Sequence, residues 1–337
     1  MNKANFTFIS FNTWNEGTEV TNGKQITLEF LLKEHPDFIY LTEIINKDYV
    51  EKLFQQLNQS LDKKYQYYGY YFSRVGEIGF ISRYPIEDSV SRDYFSGENL
   101  QQIKKTGSWV EGNNVIRMTV KVGEKKLDIY GVQLDYQYYV PSLPRGYSDH
   151  EVNGRVIKLD KVVTSTKYLQ QRNLLSLRTQ FMQQLILDSI KRGNPTIIVG
   201  DFNEPACTDW TYATKNNYAH HGVVYCWDTT KLLISNSFTD SYRKIYQDPV
   251  SSPGISWPVY YKDKNTSEIA ADQEDRLDYI FTNTAINIDD AKMLGPDVHN
   301  DGNKMVRTPH ESTDYYNPTQ NWSSDHNAMW LKFGFWH

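Results

Sequence analysis

Long apolar runs are missing from this sequence, and so is any excess of positive charge. No stretch of its 337 residues reaches the roughly 18 consecutive apolar positions of a membrane-spanning helix, which excludes a membrane span. The formal net charge is −5, whereas a protein that grips long polyanions usually carries a basic excess. A nucleic-acid partner therefore has to be argued from local patches. Cysteine is almost absent. Cys207 and Cys226 are the two in the chain, without metal-type spacing, so neither a disulfide scaffold nor a zinc knuckle is indicated, and one bridge between them stays open. The N-terminus has no charged start followed by an apolar core, the mark of a signal peptide. It reads as cytoplasmic, or as exported with a signal already removed. No internal repeat, low-complexity tract or Gly/Ser linker interrupts residues 1–337, which read as one domain. Nothing in it calls for an obligate protein partner.

Aromatic side chains are plentiful. The 25 Tyr and 8 Trp have polar edges that suit grooves and half-buried sheet faces. Apolar and polar residues alternate over residues 6–12, predicting a first strand that ends at Asn12. Residues 24–34 and 48–61 have helical spacing. Between them Phe38-Ile39-Tyr40-Leu41-Thr42 is an apolar strand that delivers Glu43. Residues 65–72 and 79–86 read as strands, and residues 115–122 and 126–132 as a hairpin turning at Gly123-Glu124 and followed by Gln133. Residues 136–160, rich in Tyr, Pro and Gly, read as a long ordered loop near the site.

A helical stripe over residues 173–192 feeds the strand Ile197-Ile198-Val199, whose unbroken β-branched run reads as covered on both faces. Gly200 ends that strand. Asp201 and Asn203 follow two apart, so on an extended backbone both leave the same face. They offer a proton acceptor beside a neutral hydrogen-bond donor; read locally, they are equally an Asx turn. Loops are expected from Asn203 to about residue 233 and over residues 296–321, with strands at 277–282 and 328–333.

Polar residues thus recur at strand ends: Asn12, Glu43, Gln133, Asp201 with Asn203, Asp278 within Arg276-Leu277-Asp278-Tyr279, and Asp325-His326 within Ser324-Asp325-His326. Their order and types resemble the endonuclease/exonuclease/phosphatase superfamily, the deoxyribonuclease I-like fold, from Asn12 to His326. The resemblance implies an α/β (α+β) fold. In it, two mixed β-sheets with helices outside form a four-layer α/β/β/α sandwich, with the site on the rim between the sheets.

It further implies a divalent-metal-dependent phosphoester hydrolase, a phosphodiesterase or phosphatase working by in-line attack of water on phosphorus. Glu43 would hold the cation, with Asn12 and Asp325 close by, Mg²⁺ first and Mn²⁺ or Ca²⁺ as alternatives. Asp201 would align and deprotonate the water, and Asn203 would donate to a non-bridging oxygen. His326 would hydrogen-bond the phosphoryl group as a cation, its ring held and its pKa raised by Asp278.

Many members of the superfamily carry histidine where this chain has Gln133, although the repair AP endonucleases lack it too. Glutamine can bind a phosphate but gives up no proton at neutral pH. Gln133 and Arg145 are the expected substrate-binding residues, Arg145 facing a second phosphate or a carboxylate. Glu274-Asp275, two acids beside the site, would repel a nucleic-acid backbone, so a small or headgroup-like phosphoester is favoured over nucleic acid. The alternatives are an endonuclease or exonuclease on DNA or RNA, a sphingomyelinase-like lipid phosphodiesterase, and a non-catalytic binding module of the same fold.

Overall fold

The apolar runs of the sequence become two β-sheets in the computed structural model, which describes residues 3–72, 77–91, 112–150, 156–260, 272–301, 305–308 and 313–336. In chain order the strands are β1 (Lys3–Asn12), β2 (Phe38–Ile44), β3 (Tyr68–Tyr71), β4 (Glu77–Ser82), β5 (Ile86–Ser91), β6 (Asn114–Val122), β7 (Lys125–Gln133) and β8 (Thr196–Asp201). They continue with β9 (Thr239–Asp240), β10 (Asp278–Thr282), β11 (Asn287–Leu294), β12 (Val298–Asn300), β13 (Met305–Arg307), β14 (Tyr315–Tyr316) and β15 (Ala328–Trp336). One sheet has the order β14-β11-β15-β1-β2-β4-β3 and the other β5-β6-β7-β8-β10-β9, with β12 and β13 a separate pair. Both sheets are mixed. In the first, β1 runs parallel to β2 and antiparallel to β15. In the second, β8 runs parallel to β7 and antiparallel to β10.

The sheets share one buried core. Phe8, Tyr40, Phe80 and Leu331 of the first face Met118, Ile129, Val199 and Ile280 of the second, each worth about 1.5–3 kcal/mol of burial. The outer face of the first sheet packs on helices α1 (Gly23–Glu34) and α2 (Lys47–Gln59) through Leu31, Val50 and Leu53. Below the second sheet, Phe181, Met182 and Leu185 of a later helix, Arg178–Arg192, pack on Tyr130, Ile198 and Phe281. That completes the expected four layers. Tyr40 of the first sheet packs over two glycines of the second. A Cβ on Gly131 would lie 2.2 Å from the Tyr40 ring, and one on Gly200, at φ +135°, would lie 1.9 Å from the Val132 carbonyl oxygen.

Several elements differ from the sequence reading, β12, β13 and β14 among them, which lie in the stretch expected as loop over residues 296–321. The helical stripe over residues 173–192 forms a 3₁₀ turn and then α4 (Arg178–Arg192), parted where Leu177 adopts a left-handed φ of 61°, and a further helix, α3 (Thr166–Asn173), precedes the stripe in a stretch not read as helix. A short helix, α5 (Asp228–Ser235), stands in a stretch read as loop. Strand β11 was not anticipated, since the exposed Asp289 and half-buried Asp290 break its apolar pattern. Cys207 and Cys226 are joined by a disulfide. In the loop read at residues 136–160, positions 151–155 lie outside the described residues. No helix among the described residues is long and apolar enough to cross a membrane.

Candidate functional site

Sheet register assembles the first half of the site. In the second sheet Gln133 on β7 is opposite Asp201 on β8, and Asp201 is opposite Asp278 on β10. Three strand ends thereby set a carboxamide and two carboxylates side by side along one edge. Asn203 follows in a left-handed conformation, φ 48°. Its backbone N–H donates to Asp201 Oδ1 at 2.9 Å, and its Nδ2 donates to Leu134 O at 3.0 Å and to Asp201 Oδ2 at 3.2 Å. The Asx-turn bond read from the sequence is therefore present, and it fixes the carboxylate's orientation. Both Nδ2 hydrogens are occupied, so Asn203 could donate to a ligand only by exchanging one of them.

The first sheet supplies the other half, through a local break in its ladder. Between Thr42 and Ile44 the pairing with β4 slips, and Glu43 adopts φ 59°. Such a bulge re-aims one side chain out of the strand's alternation, and strain of this kind gathers at functional sites. Glu43 Oε2 accepts from the Asn15 backbone N–H at 3.1 Å and Oε1 from Asn12 Nδ2 at 3.0 Å. The same Asn12 nitrogen lies 3.1 Å from Asp201 Oδ2 and 3.4 Å from His326 Nε2. One amide therefore touches residues up to 314 positions away in the chain. Asn12 turns its nitrogen, not its oxygen, toward the acids, and Oδ1 accepts from Trp14 N at 3.0 Å. The side chain ties Glu43 to Asp201.

His326 precedes β15 and is held from two sides. Its Nδ1 lies 2.8 Å from Asp278 Oδ2, and its backbone N–H donates to Ser324 Oγ, which itself donates to the Asn12 carbonyl. Burial alone would lower this imidazole's pKa, but the Asp278 carboxylate outweighs it, with Asp325 and Asp201 adding, and raises it to about 10. Burial pushes the Asp201 carboxyl up to about 7, the charge of Asp278 adding to it and His326 opposing. Burial also raises Asp325 to about 6, against the pull of His326 and with the push of Glu43. Asp325 Oδ2 accepts from Trp257 Nε1 at 3.2 Å. Its Oδ1 is buried with no hydrogen-bond partner, as is Asp278 Oδ1. Asp201, Asp278 and His326 offer ligand atoms within 4.8 Å of one another.

These groups open onto a cavity of about 760 Å³, within the usual range for small-molecule sites. Glu43, Gln133, Asp201, Asn203, Asp325 and His326 line it. Gln133 is 8% exposed, and its buried Oε1 has no partner. The far wall is the loop after β7: Tyr136, Tyr138 and Tyr139 face the cavity, while Val140 and Leu143 anchor the loop on Leu169, Trp210 and Trp227.

Arg145 does not face the cavity. It is buried and stacks over Trp210, donating through Nη1 to Asp275 Oδ2 at 2.5 Å and through Nε to Tyr218 O at 3.0 Å. A buried carboxylate needs a cation, and Arg145 meets that need. The expectation of substrate contact is thereby corrected. Its companion, electrostatic repulsion by Glu274-Asp275, goes with it. Both acids are 3% exposed; Asp275 is paired, and burial together with the neighbouring Asp272 raises Glu274 to about 9, leaving it protonated at neutral pH.

Other contributors escaped the sequence reading. Buried Arg178 donates to the carbonyls of Asp135, Asn203 and Tyr138 and so fixes the loops after β7 and β8. No local pattern marks it, because its partners come from two separate loops far from it in sequence. Arg276 of the Arg-Leu-Asp-Tyr segment is likewise structural, bound to Asp209 and Asp240. On the loop wall, Asp149 and His150 line the cavity. Their signal was available, since Ser148-Asp149-His150 repeats the tripeptide Ser324-Asp325-His326.

A sequence model of the endonuclease/exonuclease/phosphatase family matches residues 9–326. An uncharacterized Caenorhabditis elegans protein, F14F9.5, is 23% identical over 278 residues, covering 81% of this chain and 77% of its own. Among solved structures, an endonuclease/exonuclease/phosphatase family protein from Bacteroides thetaiotaomicron superposes with a TM-score of 0.53 at 12% identity, covering all of both chains. Truncated C. elegans TDP2 gives 0.51 at 13% identity, with 98% of each chain covered. D. rerio TDP2, solved with a single-strand DNA product, gives 0.50 at 15%, covering 98% of this chain and 99% of that one.

Proposed function

The chain belongs to the endonuclease/exonuclease/phosphatase family, whose members are generally metal-dependent phosphoester hydrolases, and from that premise we propose that it hydrolyses a phosphoester with the help of a divalent cation. One observation carries the reading: a single amide nitrogen, Asn12 Nδ2, gathers Glu43, Asp201 and His326 within 3.0 to 3.4 Å. Two anionic groups and an imidazole so placed can bind a cation and a phosphoryl group together.

The donor set suits a hard cation. The charge of Glu43 helps to raise Asp325, whose Oδ1 has no partner, so a positive ion between the two would relieve both. Glu43 and Asp325 would hold it. The Asp201, Asp278 and His326 group is a weaker candidate, because an imidazole kept protonated by Asp278 has no lone pair to give. When bound, a divalent cation would polarise the phosphoryl oxygen and offset charge on the leaving group.

The chain's own residues do the rest. Asp201, held by the Asn203 backbone and by Asn12, orients the attacking water and accepts its proton; a carboxyl at about 7 is near the pH at which it works. His326, protonated at neutral pH, donates from Nε2 to the phosphoryl oxygen while Nδ1 stays committed to Asp278. Gln133, on the cavity wall beside Asp201, would donate to a phosphate oxygen from its carboxamide nitrogen. Asn12 keeps Glu43 and Asp201 apart at a fixed spacing.

Nucleic acid is the second reading. The acids that argued against a polyanion are buried, paired or protonated, and a protein of the same fold was solved with a single-strand DNA product. Bis(4-nitrophenyl) phosphate, DNA, RNA, inositol phosphates and sphingomyelin, each assayed in Mg²⁺, Mn²⁺ and EDTA, test the proposal. Hydrolysis of at least one, abolished by EDTA and restored by added metal, is expected. Turnover of none, or turnover that survives chelation, overturns it.

A further inference from the structure

The cavity has a second imidazole set against an aspartate. His150 Nδ1 lies 2.8 Å from Asp149 Oδ1, the same separation as in the His326–Asp278 pair. Asp149 is 4% exposed and is gripped by Arg172, whose Nε donates to Oδ2 at 2.6 Å and Nη2 to Oδ1 at 3.2 Å. Arg172 Nη2 also approaches His150 Nδ1 at 3.3 Å. The shorter carboxylate contact decides the tautomer: Nδ1 carries the hydrogen given to Asp149. Tyr138 backs the ring, stacked at 6.0 Å with Arg172 over its own face. His150 Nε2, the remaining nitrogen, has no hydrogen-bond partner among the described residues, and the residue lines the cavity that holds Asp201 and His326.

Hydrolysis of an alkyl phosphoester needs a proton for the departing oxygen, and the groups already assigned do not provide one. Asp201 receives a proton, His326 serves the phosphoryl oxygen, and Gln133, beside Asp201 on the sheet edge, has none to give at neutral pH. Tyr139 donates its hydroxyl hydrogen to Asp275, and burial raises it well above the ordinary range. Glu77 also lines the cavity, but it sits near Glu43, whose charge together with burial raises it, on the side that holds the cation. An imidazole oriented by a buried carboxylate is the group suited to the task.

We propose that His150 is a further catalytic residue, which protonates the leaving-group oxygen. The inference rests on the phosphoester hydrolase reading above. As water oxygen bonds to phosphorus, its proton passes to Asp201. The bond from phosphorus to the leaving oxygen breaks, the electron pair stays on that oxygen, and the Nε2 proton of the His150 imidazolium joins it, leaving the neutral ring with its hydrogen on Nδ1, given to Asp149. Both residues then re-equilibrate with solvent, so water and ester become a phosphate product and an alcohol.

The test varies the leaving group at constant phosphoryl group: methyl 4-nitrophenyl, methyl phenyl and methyl benzyl phosphate, with metal-loaded parent, His150→Gln and Glu77→Gln. Nitrophenolate departs unprotonated at neutral pH, whereas benzyl alkoxide does not. His150→Gln is expected to lose about 10²- to 10⁴-fold on the benzyl ester and little on the nitrophenyl ester, with an unchanged melting temperature. Glu77→Gln should show no such steepening. Equal losses across the series, no loss on the benzyl ester, or steepening in Glu77→Gln alone overturns the proposal while leaving the hydrolase reading intact. A parent inactive on every ester removes both.

Discussion

Replacing Asp278 by asparagine deletes one charge and almost no volume at the centre of the site. The side chain is 1% exposed and its Oδ2 accepts from His326 Nδ1 at 2.8 Å. Its backbone ladder with Asp201 and its N–H bond to Ser256 Oγ do not involve the carboxylate. In the parent, burial disfavours the imidazolium but the Asp278 charge outweighs it, giving a pKa of about 10. Without that charge burial dominates, and the His326 pKa falls toward or below its ordinary 6.5. A hydrogen bond to a charged group contributes about 1.5–3 kcal/mol, so kcat/KM at the optimum should drop roughly 10- to 150-fold. The pH profile should change shape as well. In the parent, activity rises as Asp201 ionises through about 7 and falls as His326 deprotonates through about 10; in Asp278→Asn the alkaline limb moves to near or below neutrality. Stability follows the same sign. A histidine whose folded pKa exceeds its unfolded value stabilises fully below the unfolded value and loses that contribution as pH rises through the folded one. The parent's melting advantage over Asp278→Asn should therefore be complete below about 6.5 and vanish by about pH 10. Profiles of kcat/KM from pH 5 to 11, measured beside thermal melts, decide the matter, and an alkaline limb that stays where the parent has it refutes the reasoning.

Asn12→Ala leaves Glu43 without its amide partner and should weaken apparent Mn²⁺ affinity about 10- to 100-fold, read from activity against metal concentration; an unchanged curve counts against the bridging role. Arg145→Met strands the buried Asp275 carboxylate and should destabilise the fold by roughly 3–5 kcal/mol in denaturant titration, with Arg145→Met/Asp275→Asn recovering part of the loss. An exposed, substrate-facing arginine would show no such effect. Gln133→His adds an imidazole to the cavity wall next to Asp201 and should leave the melting temperature alone while altering the pH profile, whereas an identical profile would argue that position 133 does not reach the chemistry.

Much of this site was legible because strand ends are local features. The run Ile197-Ile198-Val199 ended by Gly200 announces a buried strand, and Asp201 with Asn203 appears where the chain leaves it. Pairing across the sheet then does what no single segment shows, setting Asp201 between Gln133 and Asp278. The aim of Glu43 was not legible, since it depends on a bulge against β4 and a left-handed φ. Nor was the fate of Arg145 and Asp275, which meet across 130 positions. Counting their charges from the sequence gave the wrong field at the site. Asn12 stands at the end of its strand as read, but which end of its amide faces inward is decided only where Glu43 and Asp201 converge on it. The pair Asp149–His150 went unread inside a loop judged by its tyrosines.

The most direct test of the central claim is the rate at which Asp201→Asn, metal-loaded and assayed at pH 8, hydrolyses bis(4-nitrophenyl) phosphate. At that pH the parent carboxylate is ionised, and asparagine keeps the shape without the basicity. The expected result is a loss of about 10²- to 10⁴-fold in a variant that melts at least as high as the parent, the buried charge being gone. A variant as fast as the parent contradicts the account.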